Sequence, residues 1–206
     1  MAVDCINRYK TAENFLKLFN PDMQYDYCSN VKRVYTGAAP ALCTLNEAFG
    51  KNIAETWLAI QIRDISEYSG CRDKLGNEQI DRLAKVIMAS FKFLKVTELM
   101  LFFLQFKSGK YGKFYGSVDS LAITESLQDF CCERKNVLNR YEEEEYKRKR
   151  DIEEEKHGRD VEQFKSFLKK HDSTISDWLK NRDLFNGKYS TEQIKMELAK
   201  RKSRNN

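Results

Sequence analysis

One stretch of the sequence interleaves lysines, aromatic residues and glycines from Lys107 to Gly116, without a single acidic residue. Ammonium groups contact phosphates and aromatic rings stack on unpaired bases, which is how proteins hold single-stranded nucleic acids. In the alternative interpretation, the rings fold back onto the core, the glycines form turns, and the lysines keep the loop soluble. Both interpretations stay open. The loop's candidate nucleic-acid-binding residues are Lys107, Lys110, Tyr111, Lys113, Phe114 and Tyr115.

Further candidate phosphate contacts lie before this loop and at the end of the sequence. Lys92 and Lys95 fall where two predicted helices, 80–94 and 97–106, meet in the order of a helix-turn-helix. The second helix is apolar on nearly every side, so we expect the two lysines to contact phosphates without reading base sequence. A basic tail supplies the remaining candidates, which are Lys200, Arg201, Lys202 and Arg204.

Residues suited to catalysis or metal binding are scarce. The two histidines, His157 and His171, fall in a charged segment and a short downstream helix, where solvated surface positions are expected. The sequence has no C-x-x-C spacing and no recognisable Ser or Cys nucleophile signature. We therefore expect a non-enzymatic protein with no cofactor and no bound metal.

The start of the sequence and its apolar runs indicate in which cellular compartment the protein is expected. The first ten residues, MAVDCINRYK, carry a charge at Asp4 and no apolar stretch of signal-peptide length. The longest apolar run, LMLFFL, is too short to span a bilayer. We expect a cytoplasmic protein without membrane association, whose six cysteines stay reduced and pack as small hydrophobic residues.

The elements that must position these residues are predicted to be helical. Hydrophobic residues make up 41% of the sequence and charged residues 33%, with only two prolines, which favours long helices. Thr44 and Thr97 are expected to be N-caps. Residues 21–43 form a tyrosine-rich connector that is either packed over the core or mobile. Apolar residues that recur every three or four positions predict helices at 5–19, 45–68 and 80–94, and the uniformly apolar segment at 97–106 predicts a short buried helix.

A long helix capped by Asp119 is predicted to continue into charged sequence. Between residues 139 and 157, acidic and basic residues four positions apart stabilise an isolated helix by roughly 0.2–0.5 kcal/mol per pair. Gly158 is the expected weak point of this helix. The net charge of +5 is modest, so its distribution matters more than its size.

These elements predict an all-α protein in three parts. A compact helical domain covers residues 1–138, a charged helical spacer covers 139–158, and a small helical module with a basic tail covers 159–206. Ser190 and Gln193 form a capping box that begins the last helix. The module's candidate partner-binding residues are Phe164, Phe167 and Trp178.

The stretch FKFLKVTELMLFFLQFKSGKYGKFYGSVDSLAITESLQDFCCER resembles an uncharacterised family of small helical proteins carried by bacterial mobile elements and phages. It covers roughly a fifth of the chain, and its most specific block is TELMLFF followed by KSGKYGKFYG and Asp119. No established activity comes with this resemblance. It implies a context, that of replication or DNA-maintenance accessory proteins.

We therefore expect a non-enzymatic, nucleic-acid-associated accessory protein, of the kind that recruits a helicase or another replication protein. DNA and that replication protein are its expected partners. The alternative is a protein-protein interaction or assembly adaptor that binds no nucleic acid. The sequence leaves open the choice between DNA and RNA, the sequence specificity of binding, and the oligomeric state.

Overall fold

The computed structural model describes residues 1–170, 181–185 and 187–204. The predicted all-α fold is confirmed: 76% of the structure is helical, and the described residues form α-helices, two short 3-10 helices and no β-strand. Two compact units divide the chain, Met1–Asn139 and Arg140–Asn206. The predicted three-part division, with boundaries at 138 and 158, stays a prediction.

Eight helices of the first unit precede a long ninth helix that begins in the same unit. They are α1 (Ala2–Tyr9), α2 (Ala12–Leu18), α3 (Gln24–Cys28), α4 (Val31–Thr36), α5 (Leu42–Phe49), α6 (Ile53–Tyr68), α7 (Asn77–Phe91) and α8 (Val96–Lys107), and the ninth is α9 (Ser120–Lys170).

Two of the predicted helices are each divided in the structure. The one predicted over 5–19 is interrupted at Lys10, where φ is 67°, and Thr11 then caps α2 by accepting a hydrogen bond from the Asn14 N–H at 3.2 Å. The one predicted over 45–68 is interrupted at Gly50 and Asn52, both with positive φ. Thr44 lies inside α5 and is not an N-cap.

The connector over residues 21–43 is packed over the core and contains α3, α4 and a 3-10 turn at Pro21–Met23. Val34 and Tyr35 are buried, and the Tyr35 ring stacks on Phe130 of α9 with centroids 6.3 Å apart. The Trp57 indole N–H donates to the Phe19 carbonyl at 2.7 Å, which fixes the start of the connector against α6. Of the two alternatives that the sequence left open for this segment, the structure shows the packed one.

Helix α8 lies at the centre of the first unit, as its apolar sequence predicts. Most of its residues are buried, among them Phe102 and Phe103. It begins one residue earlier than predicted, because Lys95 is its N-cap residue and Glu98 accepts the Lys95 N–H at 3.0 Å. The Thr97 hydroxyl instead donates to the Val34 carbonyl of α4 at 2.9 Å, so the prediction of Thr97 as N-cap was wrong.

The second unit contains the charged part of α9, a 3-10 turn at Arg182–Phe185, and a last helix, α10 (Thr191–Arg204). Helix α9 continues through Gly158 and shows no break there. Ser190 and Gln193 form the predicted capping box, with N–H to oxygen distances of 2.9 and 3.3 Å. Among the described residues, no helix has the length and apolar character needed to cross a membrane.

Candidate nucleic-acid interface

The loop between α8 and α9 owes its shape to three glycines. Gly109, Gly112 and Gly116 have φ values of 82°, 104° and 81°, in a region that residues with a β-carbon rarely adopt. The Gly109 N–H donates to the Phe106 carbonyl at 3.0 Å, and the Gly112 N–H donates to the Gly109 carbonyl at 3.2 Å. The glycines therefore form turns, as the structural interpretation of the loop requires.

The far end of the loop is tied to the segment that follows α6. The Asp73 N–H donates to the Gly116 carbonyl at 3.2 Å, and the Val118 N–H donates to the Asp73 carbonyl at 3.0 Å. Asp119 then caps α9, as predicted, by accepting the Leu121 N–H at 2.8 Å. Both ends of the loop are thus anchored to the first unit.

The three aromatic candidates of the loop have different environments. Tyr111 packs on Phe102 and Phe106, with ring centroids 5.5 and 6.2 Å apart, and its hydroxyl donates to Gln105 at 2.9 Å. Phe114 packs on Phe106 with centroids 5.2 Å apart. Tyr115 is 91% exposed. Only Tyr115 presents an open ring face, so two of the three rings are part of the core packing.

Burial also changes the acidity of Tyr111. Desolvation raises the pKa of its hydroxyl well above the ordinary value, and the nearby Glu133 and Asp129 carboxylates raise it further. The hydroxyl is therefore neutral at ordinary pH. It acts as a hydrogen-bond donor to Gln105.

The three lysines of the loop also have different environments. The Lys107 ammonium is 2.6 Å from the Asp64 carboxylate, its side chain is only 7% exposed, and it lies 5.6 Å from the centre of the Tyr68 ring. The Lys110 ammonium pairs with Glu133 of α9. Lys113 is exposed and forms no ion pair within the described part of the chain. Lys113 is thus the lysine of the loop whose charge is available to a ligand.

Lys92 and Lys95 lie in the turn between α7 and α8, and their side chains differ. Lys92 is exposed. The half-buried Lys95 ammonium donates to the carbonyls of Tyr35 and Gly37, at 2.7 and 2.9 Å, at the end of α4. Lys95 therefore holds the connector in place. Both acceptors of its hydrogen bonds are backbone carbonyls, which do not neutralise its charge.

Two arginines that were not among the sequence candidates have side-chain atoms near Gly37 and Ala38, where the Lys95 ammonium also binds. Arg8 donates to the Ala38 carbonyl at 2.8 Å, and the exposed Arg33 side chain runs beside Gly37. The sequence contains one signal for Arg33, since residues 27–46 include no acidic residue, and none for Arg8. Arg8 and Lys95, far apart in the sequence, bond the neighbouring carbonyls of Ala38 and Gly37 only in the folded chain.

The basic tail forms part of α10, and some of its basic side chains are paired while others are exposed. Arg201 makes two hydrogen bonds to the Asp183 carboxylate, at 3.1 and 2.8 Å, and another to Asn181 at 3.1 Å. Lys200 lies 3.8 Å from Glu197. Lys202 and Arg204 are exposed. Arg201 thus links α10 to the preceding turn, and Lys202 and Arg204 are the more accessible cations.

The candidate partner-binding residues remain predictions. Phe164 and Phe167 lie in α9, but the structure describes only their backbone and not their side chains. Trp178 lies outside the described residues. The described part of the chain holds no group of three or more His, Cys, Asp or Glu residues arranged to bind a metal ion.

Comparison with known proteins gives one match. Residues 74–171, just under half of the chain, match a family described as a family of unknown function, DUF6633. The matched residues include α7, α8, the glycine-rich loop and the whole of α9. No curated protein and no solved structure matches the chain. The segment that resembles an uncharacterised family is thus similar to a family without an assigned function.

Proposed function

We propose that this protein is a non-enzymatic, nucleic-acid-associated accessory protein, which acts in the cytoplasm as a replication or helicase-recruitment factor of a mobile element or phage. The observation that carries the proposal is the exposure of Lys113 and Tyr115 on an anchored loop. An ammonium group and an open aromatic ring on one loop are the combination that holds a phosphate and a neighbouring unpaired base.

The anchoring of the loop supports this role. Tyr111 and Phe114 pack on α8, and the backbone at Gly116 is bonded to Asp73, so the exposed pair is held on a fixed base. A loop that is already ordered loses less conformational entropy when a ligand binds.

Fluorescence anisotropy with labelled single-stranded and duplex oligonucleotides across a salt series tests this proposal. We expect binding that weakens with salt, and a Lys113→Gln/Tyr115→Ala variant that binds single strands less tightly and with a smaller salt dependence. Lys17→Gln/Tyr25→Ala removes another exposed lysine and another exposed tyrosine and serves as the control. Absence of salt-dependent binding by the unaltered protein would refute the proposal.

An adaptor that binds only proteins is the second candidate. It is favoured by the exposed apolar side chains of Tyr146 and Ile152 on the charged part of α9, and of Val3 on α1. Light scattering over a wide concentration range tests self-association, which this candidate predicts and which a monomer at every concentration would contradict.

A further inference from the structure

Two segments of the sequence without acidic residues are joined in the structure. Residues 27–46 contain Lys32 and Arg33, and residues 82–97 contain Lys92 and Lys95. Backbone hydrogen bonds connect them: Leu42 N–H to the Leu94 carbonyl at 3.0 Å, Cys43 N–H to the Lys92 carbonyl at 3.0 Å, and Val96 N–H to the Pro40 carbonyl at 2.9 Å. The fold therefore places two stretches that carry only basic charges along one strip of the first unit.

Three cationic side chains converge at one end of this strip, around Gly37 and Ala38. The Lys95 ammonium is 2.9 Å from the Gly37 carbonyl oxygen, and Arg8 Nη1 is 2.8 Å from the Ala38 carbonyl oxygen. The Cγ atom of Arg33 lies 3.5 Å from the position that a β-carbon on Gly37 would occupy. Two charged groups thus bond the carbonyls of two consecutive residues, and the aliphatic stem of a third cationic side chain lies beside them.

These charges are not neutralised by the contacts that hold the side chains. Lys95 and Arg8 donate to backbone carbonyls, which carry no net charge, and Arg33 has no ion-pair partner among the residues described. The carboxylate of Glu98, close to Lys95, is itself paired with Arg134 at 2.9 Å. The loop differs, because Lys107 and Lys110 are neutralised by Asp64 and Glu133.

We infer that Arg8, Arg33, Lys92 and Lys95 form a phosphate-binding surface, here called the connector face, which contacts the backbone of a nucleic-acid strand. Arg33 and Lys92 are exposed, so the face is open to an extended ligand. A nucleic acid carries closely spaced phosphates, and binding to several cations releases condensed counterions, which favours a polymer over a small anion. This inference rests on the proposed function and adds to it a second surface, away from the loop's exposed pair.

The test replaces Arg33 and Lys92, whose charged ends form no ion pair within the described part of the chain. Arg33→Gln/Lys92→Gln removes two charges and leaves Lys95 to hold the end of α4. Lys17→Gln/Lys51→Gln removes two exposed charges that lie outside both acid-free segments, and is the matched control. Both variants and the unaltered chain are titrated with labelled oligonucleotides across a salt series.

We expect the connector-face variant to lose affinity on the order of tenfold at about 0.1 M salt, and to lower the slope of log K against log salt by about 1.4 for a single strand. The control keeps both quantities close to those of the unaltered protein. Equal behaviour of the two variants, while the unaltered protein binds, would overturn the connector face and leave the proposed function standing. Failure of the unaltered protein to bind would refute both.

A competition experiment distinguishes phosphate binding from attraction to any polyanion. Unlabelled oligonucleotide is expected to displace the labelled strand at much lower charge concentration than polyglutamate. Equal displacement by polyglutamate would overturn the assignment of the face to nucleic acid.

Discussion

At the scale of single residues, the partner of each cation decides what that cation does. Lys107 and Lys113 lie six positions apart in one loop, yet Lys107 is 7% exposed and bound to Asp64, while Lys113 is exposed. A buried ammonium with a carboxylate partner contributes to stability, because its removal leaves the carboxylate without compensation. An unpaired ammonium at the surface contributes little to stability and is free to bind a ligand.

Alanine substitutions are expected to separate these two roles. Lys107→Ala should lower the free energy of unfolding by about 1–3 kcal/mol, since Asp64 loses its partner. Lys113→Ala should change it by less than about 0.5 kcal/mol and should weaken oligonucleotide binding. Urea denaturation and anisotropy on both variants provide the measurements. A stability loss in Lys113→Ala equal to that in Lys107→Ala would contradict this division of roles.

The buried hydroxyl of Tyr111 predicts a pH dependence. Its pKa in the folded protein lies above the ordinary value of 10.0, so the unfolded chain loses this proton first as the pH rises. The stabilising contribution is fully present below pH 10 and declines as the pH rises from there towards the folded-state pKa. The free energy of unfolding should therefore fall more steeply above about pH 10 in the unaltered protein than in Tyr111→Phe.

Urea denaturation at several pH values between about 8 and 11 measures this difference. Other groups that titrate in this range, such as Cys28, whose pKa burial raises to about 12, are common to both proteins and cancel in the comparison. Parallel pH profiles would show that Tyr111 is not the group responsible.

At the scale of elements, a buried ion pair connects α8 to α9. Glu98 is 0% exposed, accepts the Arg134 Nε–H at 2.9 Å, and also accepts the Lys95 N–H that begins α8. Arg134 lies 5.6 Å from the centre of the Phe93 ring. One carboxylate thus caps the central helix and holds the long helix against it, so the position of the loop between the two helices depends on this pair.

Substitutions at this pair should not be additive. Arg134→Ala leaves the Glu98 carboxylate buried without a counter-charge and should lower the free energy of unfolding by about 3 kcal/mol. Adding Glu98→Gln removes the buried charge while keeping an oxygen for the Lys95 N–H, so the double variant should be more stable than Arg134→Ala. Urea denaturation of the single and double variants measures the coupling, and a double variant less stable than both singles would argue against it.

At the scale of the whole molecule, the two compact units carry different kinds of surface. The unit Met1–Asn139 contains the buried core, the loop and the connector face. In the unit Arg140–Asn206, the described side chains are mostly exposed, and Leu184 is a buried apolar exception. The charged helix carries local pairs such as Arg150 with Glu154 at 3.4 Å, which add to the stability of an isolated helix.

A fragment of residues 1–139 is therefore expected to fold and to bind nucleic acid alone. It should unfold cooperatively in urea and keep most of the salt-dependent oligonucleotide binding, since the loop's exposed pair and the connector face both lie within it. Circular dichroism and anisotropy test these expectations. Loss of binding by a folded fragment would place the main contacts in the basic residues of α10, such as Lys202 and Arg204.

The sequence by itself determined the all-α fold, the buried character of α8, and the caps at Asp119 and Ser190. These features depend on apolar periodicity and on hydrogen bonds between residues a few positions apart, which a sequence displays directly. It did not reveal the divisions at Lys10 and Gly50, because a short interruption of a periodic pattern is settled by how the flanking helices pack.

Only the tertiary structure decided which charges are free. Lys107 finds Asp64 at a separation of 43 residues, and Lys95 finds the Tyr35 carbonyl at a separation of 60. Arg8 and Lys95 bond the neighbouring carbonyls of Ala38 and Gly37, and the backbone of the connector is bonded along the α7–α8 turn. Electrostatic pairing depends on distance in space, and no local pattern in the sequence encodes that distance.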